Sequence, residues 1–202
     1  MTTYLLVHGG DRDGTVWDNI AHLLRNKQHK VFCPSMTPIK QTTLQDNIEE
    51  ICELIRVNDL NNIILVGHSY GAMVITGVFD KLPSKISCLV YVDSVVPENG
   101  KSLYGLLAEN GFDYKKFGLT PDAPCMESLY FNENKLREMP KAYIHCLKSE
   151  FLEATEWVYQ RIIDHYQEDH WLYFDLNATH GCMFTQPKEL AAILLGMQVL
   201  LN

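Results

Sequence analysis

Features that mark membrane, nucleic-acid-binding and secreted proteins are absent from this sequence. No segment approaches the roughly 20 apolar residues of a membrane-spanning helix, and the apolar run near the N-terminus is too short for a signal peptide. Lysine and arginine form no cluster, and a net charge of -8 disfavours a surface that binds phosphates. We therefore expect a cytoplasmic protein that binds neither nucleic acid nor membrane.

Cysteine occurs in no pattern that would support a disulfide framework or a zinc site. Its six copies never form a C-x-x-C pair, and several lie in apolar runs, as reduced core thiols do. We expect no bound metal. The cysteines are Cys33, Cys52, Cys88, Cys125, Cys146 and Cys182.

Strand-like and helix-like segments alternate along the chain. With 202 residues, of which 47% are hydrophobic, we expect one α/β domain spanning residues 1–202. The alternation predicts a mostly parallel sheet of about six strands with helices on both faces. Strands are predicted at about 3–7, 30–33, 62–66, 86–92, 141–147 and 171–176, and helices at about 16–26, 44–57, 70–81, 154–166 and 187–201.

The segment between the fourth and fifth predicted strands differs from the rest. Residues 97–140 carry several glycines and prolines with short helical pieces, which predicts a small cap rather than another sheet unit. Right-handed crossovers place the carboxyl ends of parallel strands along one edge, where ligands bind in open sheets. We expect the cap to be the lid and specificity element at this edge.

Residues 63–73, IILVGHSYGAM, have the layout of a nucleophile elbow. In such an elbow a sharp strand-to-helix turn projects a serine hydroxyl, and the residues two positions to either side must lack bulk. Gly67 and Gly71 meet this requirement, and apolar residues flank the motif. Ser69 is therefore predicted to be the nucleophile of an enzyme.

A serine hydroxyl is a weak nucleophile at neutral pH, so a base must take its proton. His180 lies in ATHGCM, after the last predicted strand and before the last predicted helix, where a loop can bring its imidazole over Ser69. The other histidines lie in the elbow, in the loop after the first strand, or remote from this edge. We predict His180 as the base.

The acid that orients the histidine has more than one candidate. Asp93 ends the fourth predicted strand, adjacent to the nucleophile strand in the simplest winding, and is preferred. Glu150 follows the fifth strand and remains an alternative. Asp175 is close to His180 in sequence, but strand alternation is expected to point it away.

The loop after the first strand supplies the remaining part of the predicted site. A tetrahedral oxyanion needs two backbone N–H donors at about 3 Å, and the candidates are Gly10 and Tyr70. The expected pocket is mostly apolar or aromatic, which favours an uncharged acyl or aromatic moiety. Its predicted residues are His8, Gly9, Leu103, Tyr104, Leu107, Met183 and Phe184.

These motifs resemble the α/β-hydrolase fold family, in particular its small bacterial esterases, with plant methyl-ester esterases and hydroxynitrile lyases more distant. The likeness covers nearly the whole chain and is carried by LLVHGGDRDGTVW, VGHSYGAMVITGV, LVYVDSVVPENGKSL and ATHGCMFTQPKELAAILL. The resemblance implies an α/β-hydrolase fold with Ser69 and His180 as the catalytic pair. The aspartate of VYVD favours Asp93 as the acid.

Departures from these relatives limit what the resemblance implies. The plant enzymes have an aspartate at the place of Ser149, so their acid position is vacant here. The lyases have a lysine after the catalytic histidine and a threonine in the oxyanion loop, whereas this chain has Gly181 and Gly10. This disfavours cyanohydrin cleavage. The segment 97–140 is also shorter than the cap of those relatives, which predicts a more open pocket.

Together these features predict a serine hydrolase that cleaves a small carboxylic ester, thioester or lactone through an acyl-enzyme, without a cofactor. Two alternatives stay open: a lyase or cyclase on the same scaffold, and a ligand-binding receptor that retains the site. The apolar C-terminal helix also allows a homodimer, because composition does not separate packing on the core from packing on a second subunit.

Overall fold

The computed structural model describes residues 1–164 and 169–200, and the side chains of these residues except 198–200. Within them one sheet contains six strands, all parallel, which confirms the predicted α/β fold class. The strands are β1 (Thr3–Val7), β2 (Lys30–Phe32), β3 (Ile63–His68), β4 (Ile86–Val92), β5 (Lys141–Cys146) and β6 (Trp171–Leu176). Their order across the sheet is β2-β1-β3-β4-β5-β6, so β3 and β4 lie at the centre.

Helices connect the strands and cover both faces of the sheet. The α-helices are α1 (Asp18–Arg25), α2 (Leu44–Val57), α3 (Gly71–Lys81), α4 (Leu103–Glu109), α5 (Ala123–Met126), α6 (Glu133–Glu138), α7 (Leu152–Asp164), α8 (Cys182–Thr185) and α9 (Pro187–Leu200). Short 3-10 helices span Gly14–Trp17, Ile39–Gln41, Pro83–Lys85 and Tyr114–Phe117. None of the helices described is both long enough and apolar enough to cross a membrane.

Alternation along the strands divides the core into two layers. Successive side chains of a strand point to opposite faces, so Leu65 packs with α2, α3, α7 and the cap, whereas Val66 packs with α1 and α9. Leu5, Leu65 and Leu89 pair in register across three neighbouring strands. Because β3 is buried on both faces, its sequence is a continuous apolar run rather than an alternating one.

Most predicted elements form, and the differences lie at their ends. The first helix begins at Asp18 rather than at residue 16, because Gly14–Trp17 forms a 3-10 turn in which the Asp13 side chain accepts from Thr15 N. The third strand continues to His68, since pairing with β4 extends to that residue. Residues 165, 166 and 201 of the predicted helices lie outside the described residues.

The segment between β4 and β5 contains α4, α5, α6 and the 3-10 helix Tyr114–Phe117. An isolated antiparallel bridge between Lys101 and Leu129 ties its beginning to its later part, and Leu129 N donates to Lys101 O at 2.9 Å. Leu103 and Leu107 of α4 are buried against the core layer that contains Leu65. The segment thus lies over one face of the sheet. The domain bounds 1–202 stay a prediction.

Candidate active site

Ser69 occupies a strained turn between β3 and α3. Its φ of 53° is in the left-handed region, which is uncommon for a residue with a side chain. A Cβ at Gly67 would lie 2.6 Å from Gly71 O, and a Cβ at Gly71 would lie 2.8 Å from His8 O. The turn therefore requires both glycines, for the reason that the elbow motif implies.

Asp93 and His180 form a hydrogen-bonded pair beside this turn. Asp93 directly follows β4, also with a left-handed φ of 43°, and its side chain is fully buried. Its Oδ2 lies 2.6 Å from His180 Nδ1. Because an ionised carboxylate only accepts, Nδ1 carries the proton, and Nε2 is the ring nitrogen left for proton transfer. Ser69, Asp93 and His180 all line one cavity.

The other candidate acids do not contact the imidazole. Glu150 Oε2 accepts a hydrogen bond from the backbone N of His180 at 3.0 Å, so it contacts the loop rather than the ring. Asp175 is exposed on β6 and accepts from the Tyr173 hydroxyl at 2.8 Å. The geometry corrects the alternative assignment of Glu150 as the acid, because its carboxylate is engaged with the main chain.

Further donors hold the Asp93 carboxylate. Ser149 Oγ donates to Oδ2 at 2.5 Å, and Cys146 N donates to Oδ1 at 3.3 Å. Burial alone would raise the pKa of Asp93, but the hydrogen bonds from His180 and Ser149 outweigh it, and the pKa is lowered from its ordinary value. Asp93 is therefore ionised at neutral pH. Sequence reasoning noted Ser149 only as a vacant acid position and missed this contact.

The loop after β1 and the turn after β3 each bring a backbone N–H group to the cavity. Among the described residues, neither Gly10 N nor Tyr70 N donates a hydrogen bond, and both residues line the cavity wall. Tyr70 immediately precedes α3, whose N-terminus adds a dipole that favours negative charge. The two N–H groups are thus available to a ligand oxyanion.

His8 stabilises the loop after β1 through two hydrogen bonds. Its Nε2 accepts from Met36 N at 3.0 Å, so Nδ1 carries the proton and donates to Gly9 O at 2.7 Å. Burial lowers the pKa of His8 below its ordinary value, so the ring is neutral at neutral pH. His8 is not part of the cavity wall, which corrects its assignment to the substrate pocket.

The cavity has a volume of about 490 Å³ and lies between the sheet edge and the cap. Gly9, Leu103, Tyr104 and Leu107 line it, and their role in substrate binding stays a prediction. Charged side chains occur in the same wall, where Asp11, Arg12 and Lys40 are exposed. The additional apolar and aromatic wall residues are Ile39, Val95, Phe112, Leu119, Phe151 and Ala154.

Met183 and Phe184 lie outside this wall, which corrects two further pocket assignments. Met183 is buried in the core layer that contains Val66, on the opposite face of the sheet from the cap. Phe184 is 55% exposed. The reason is local: α8 begins two residues after His180 and carries both side chains away from the cavity. Proximity to His180 in sequence therefore misplaced them.

His68 is a site residue that sequence reasoning missed. Its Nε2 donates to His180 O at 2.9 Å, and the two ring centroids are 4.4 Å apart. Burial, assisted by the charge of nearby His180, lowers the pKa of His68 to about 3. The residue preceding Ser69 thus ties the elbow to the histidine loop. Its position inside the elbow motif indicated that it lies beside Ser69, but its hydrogen-bond partner, His180, is 112 residues away in sequence.

Metal ligation finds no support in the site. Within the portion of the chain that the structure describes, no group of three or more His, Cys, Asp or Glu side chains is placed to hold a metal ion.

Residues 4–131 match the model of the Alpha/beta hydrolase family. Among curated proteins, the carbendazim hydrolyzing esterase of Nocardioides sp. (strain SG-4G) is 42% identical over 115 residues, which are 53% of this chain and 48% of that protein. Methylesterase 9 of Arabidopsis thaliana is 25% identical over 156 residues, 69% of this chain and 61% of that protein. The chain spans about half the length of the curated relatives that it matches.

Solved structures show the same fold over nearly the whole chain. The polyneuridine aldehyde esterase structure aligns with a TM-score of 0.78 at 18% identity, covering 98% of this chain and 99% of that one. An extracellular alpha/beta-hydrolase from a Paenibacillus species aligns with a TM-score of 0.77 at 20% identity, covering 97% and 98%. At these identities the likeness concerns the fold alone.

Proposed function

This chain belongs to the alpha/beta hydrolase family, and from that premise we propose that it is a serine hydrolase that cleaves a small carboxylic ester, thioester or lactone. The observation that carries the proposal is the 2.6 Å contact between Asp93 and His180 on the wall of a cavity that Ser69 also lines. A nucleophile, a base and an ionised acid at one cavity are the parts that acyl transfer through serine requires.

In the proposed reaction Ser69 Oγ attacks the substrate carbonyl while His180 Nε2 accepts the hydroxyl proton. Asp93, buried and ionised, stabilises the imidazolium and holds the ring in one tautomer. The N–H groups of Gly10 and Tyr70 bind the tetrahedral oxyanion, each worth roughly 3 kcal/mol in the transition state. His180 then donates its proton to the leaving alcohol or thiol, and water releases the acyl group by the reverse sequence.

The cavity indicates the kind of substrate. A volume of about 490 Å³ lies within the range of roughly 300–1,000 Å³ that small-molecule sites occupy. Leu103, Leu107 and Phe112 present apolar surface, which suits an uncharged acyl or aromatic moiety. Two relatives, the carbendazim hydrolyzing esterase and methylesterase 9, are esterases by name, which supports an ester as the substrate class. A cytoplasmic location and a homodimer stay predictions.

Hydrolysis of short p-nitrophenyl esters by wild type and Ser69→Ala tests the proposal. We expect a loss of about 10³-fold or more in kcat, with covalent labelling of Ser69 by a fluorophosphonate in wild type only. Ser87→Ala is a matched control, because the Ser87 hydroxyl bonds Ile63 O at 3.0 Å and does not line the cavity. Equal rates for wild type and Ser69→Ala would remove Ser69 from the mechanism.

A non-hydrolytic reaction on the same scaffold is the second candidate. One relative is named a synthase rather than an esterase: norfluorocurarine synthase 2 of Strychnos nux-vomica is 30% identical over 105 residues, 48% of this chain and 40% of that protein. In that case His180 would act as a general base, and Ser69 would only form hydrogen bonds. A rapid burst of p-nitrophenol equal to the enzyme concentration, with the acyl group found on Ser69, favours hydrolysis. Turnover without an acyl adduct would favour the second candidate.

A further inference from the structure

Three consecutive residues after β5 contact the Asp93–His180 pair in three different ways. Ser149 Oγ donates to Asp93 Oδ2 at 2.5 Å, and Glu150 Oε2 accepts from His180 N at 3.0 Å. The Phe151 ring packs edge to face against the His180 ring, with centroids 4.6 Å apart. From this arrangement we propose that Ser149 is a positioning residue, which acts through Asp93 to set the orientation and basicity of His180. The inference rests on the proposed function.

The hydrogen bonds around Ser149 fix the direction in which its hydroxyl proton points. Phe151 N donates to Ser149 Oγ at 3.1 Å, so the oxygen already accepts and its proton is directed to Asp93. Ser149 is 6% exposed, so water does not compete for the contact. Ser149 and His180 donate to the same oxygen, Oδ2, while Cys146 N holds Oδ1. The carboxylate is therefore fixed by three donors and has little rotational freedom.

Because Ser149 and His180 donate to the same Asp93 oxygen, Ser149 affects the charge that His180 experiences as well as the orientation of its ring. Donation from Ser149 stabilises the negative charge on Asp93, which reduces the stabilisation that Asp93 gives to a protonated imidazole. Without the hydroxyl, more of that charge acts on His180, and the protonated ring is favoured. The acid limb of kcat/KM, which reports protonation of the free enzyme's base, should then move to higher pH.

Other titratable groups around the pair must be distinguished from Ser149. They come from β3, β5, the turn after β5 and α8. Burial lowers the pKa of His68 to about 3, and burial raises the pKa of Tyr143 well above its ordinary value. A hydrogen bond with Cys182, together with burial, raises the pKa of the Cys146 thiol. His68, Tyr143 and Cys146 therefore stay uncharged between pH 5 and 8. Glu150 is the carboxylate that follows Ser149, and the variant Glu150→Gln removes its charge, so its contribution can be separated from that of Ser149.

The experiment compares Ser149→Ala, Ser149→Cys and Ser149→Thr with wild type, using p-nitrophenyl acetate and rates normalised to fluorophosphonate-titrated sites. Ser149→Ala should lower kcat about tenfold to hundredfold, the loss expected for a hydrogen bond to a charged group, while KM stays within about twofold. Its acid limb should lie about half a pH unit or more above that of wild type. Ser149→Thr keeps the hydroxyl and should restore kcat and the limb.

Ser149→Cys separates the hydrogen bond from packing, because the thiol fills the space but is a weak donor. We expect it to resemble Ser149→Ala in rate and pH profile, and it carries the test if the alanine variant does not fold. Ser87→Ala is the matched control and should reproduce the wild-type profile. The same acid-limb shift should appear when Ser149→Ala is combined with Glu150→Gln.

An acid limb that does not move upward in Ser149→Ala and Ser149→Cys, or equal losses in the threonine and alanine variants, would overturn the inference. This failure is distinguishable from failure of the proposed function. If Ser69→Ala abolishes turnover while the Ser149 variants keep the wild-type profile, only the positioning role is lost. If Ser69→Ala retains turnover, the hydrolase mechanism itself is wrong.

Discussion

The buried neutral state of His68 makes the stability of the fold depend on pH. In the folded protein the pKa of His68 is about 3, because burial and the neighbouring His180 disfavour its charged form, whereas its ordinary value is 6.5. As the pH falls below 6.5, the unfolded chain binds a proton that the folded protein does not. The free energy of unfolding therefore decreases with falling pH across the window from 6.5 to about 3.

The size of this decrease follows from the two pKa values of His68. Between them the loss is about 1.4 kcal/mol per pH unit, and from pH 7.5 to 4.5 it totals about 3 kcal/mol. His68→Gln should abolish this contribution, because glutamine does not titrate and its amide can still donate to His180 O. His22→Gln is the matched control, since His22 is exposed on α1.

Urea unfolding of wild type, His68→Gln and His22→Gln at pH 7.5, 6.0 and 4.5 measures the effect. Groups that titrate in all three proteins cancel in the differences between them. We expect the free energy of unfolding of His68→Gln to fall less than that of wild type, by about 3 kcal/mol over the full range. Parallel pH dependences for wild type and His68→Gln would refute the assignment of His68 as a buried neutral group.

Two further predictions concern the acid and the elbow. Asp93→Asn should lower kcat about 10³-fold or more, because the amide cannot stabilise the His180 imidazolium. Glu150→Gln should lower kcat by less than about tenfold, since the partner of Glu150 is a backbone N–H. Initial rates on p-nitrophenyl acetate measure both effects, and a larger loss in Glu150→Gln would contradict the assignment of Asp93 as the acid. Gly67→Ala should lower the free energy of unfolding by about 3 kcal/mol or more, because its Cβ would meet backbone at 2.6 Å. The added Cβ of Gly196→Ala on α9 would meet no atom of the described residues within 4 Å, so this variant should be neutral or stabilising in the same urea assay. Equal effects of the two glycine variants would contradict the steric argument.

The fold and the elbow could be predicted from sequence because their signals are local. The β3 run followed by the glycine-spaced motif specifies a buried strand, a sharp turn and a helix within residues 63–73, and no distant contact is needed to read it. Asp93 could be favoured over Glu150 because β4 neighbours β3, a relation that the chain winding implies. The helix ends shift by about two residues because caps and 3-10 turns decide them.

The parts that sequence reasoning missed depend on contacts between distant segments. Ser149 meets Asp93, and His68 meets the carbonyl of His180, across separations of 56 and 112 residues. Neither hydrophobic periodicity nor a sequence motif predicts a contact between two residues so far apart in the chain. Met183 was misplaced for a related reason: α8 redirects the chain immediately after the histidine, and the direction of a short helix depends on the layer it packs against.

The left-handed backbone at Ser69 and Asp93 has an evolutionary consequence. Each such conformation costs of order 1–3 kcal/mol relative to a relaxed turn, and both lie at adjacent strand ends of the same sheet edge. Under the proposed function, glycine at either position would relieve this cost but remove a reacting side chain, so selection for stability and selection for turnover would act in opposite directions at Ser69 and Asp93.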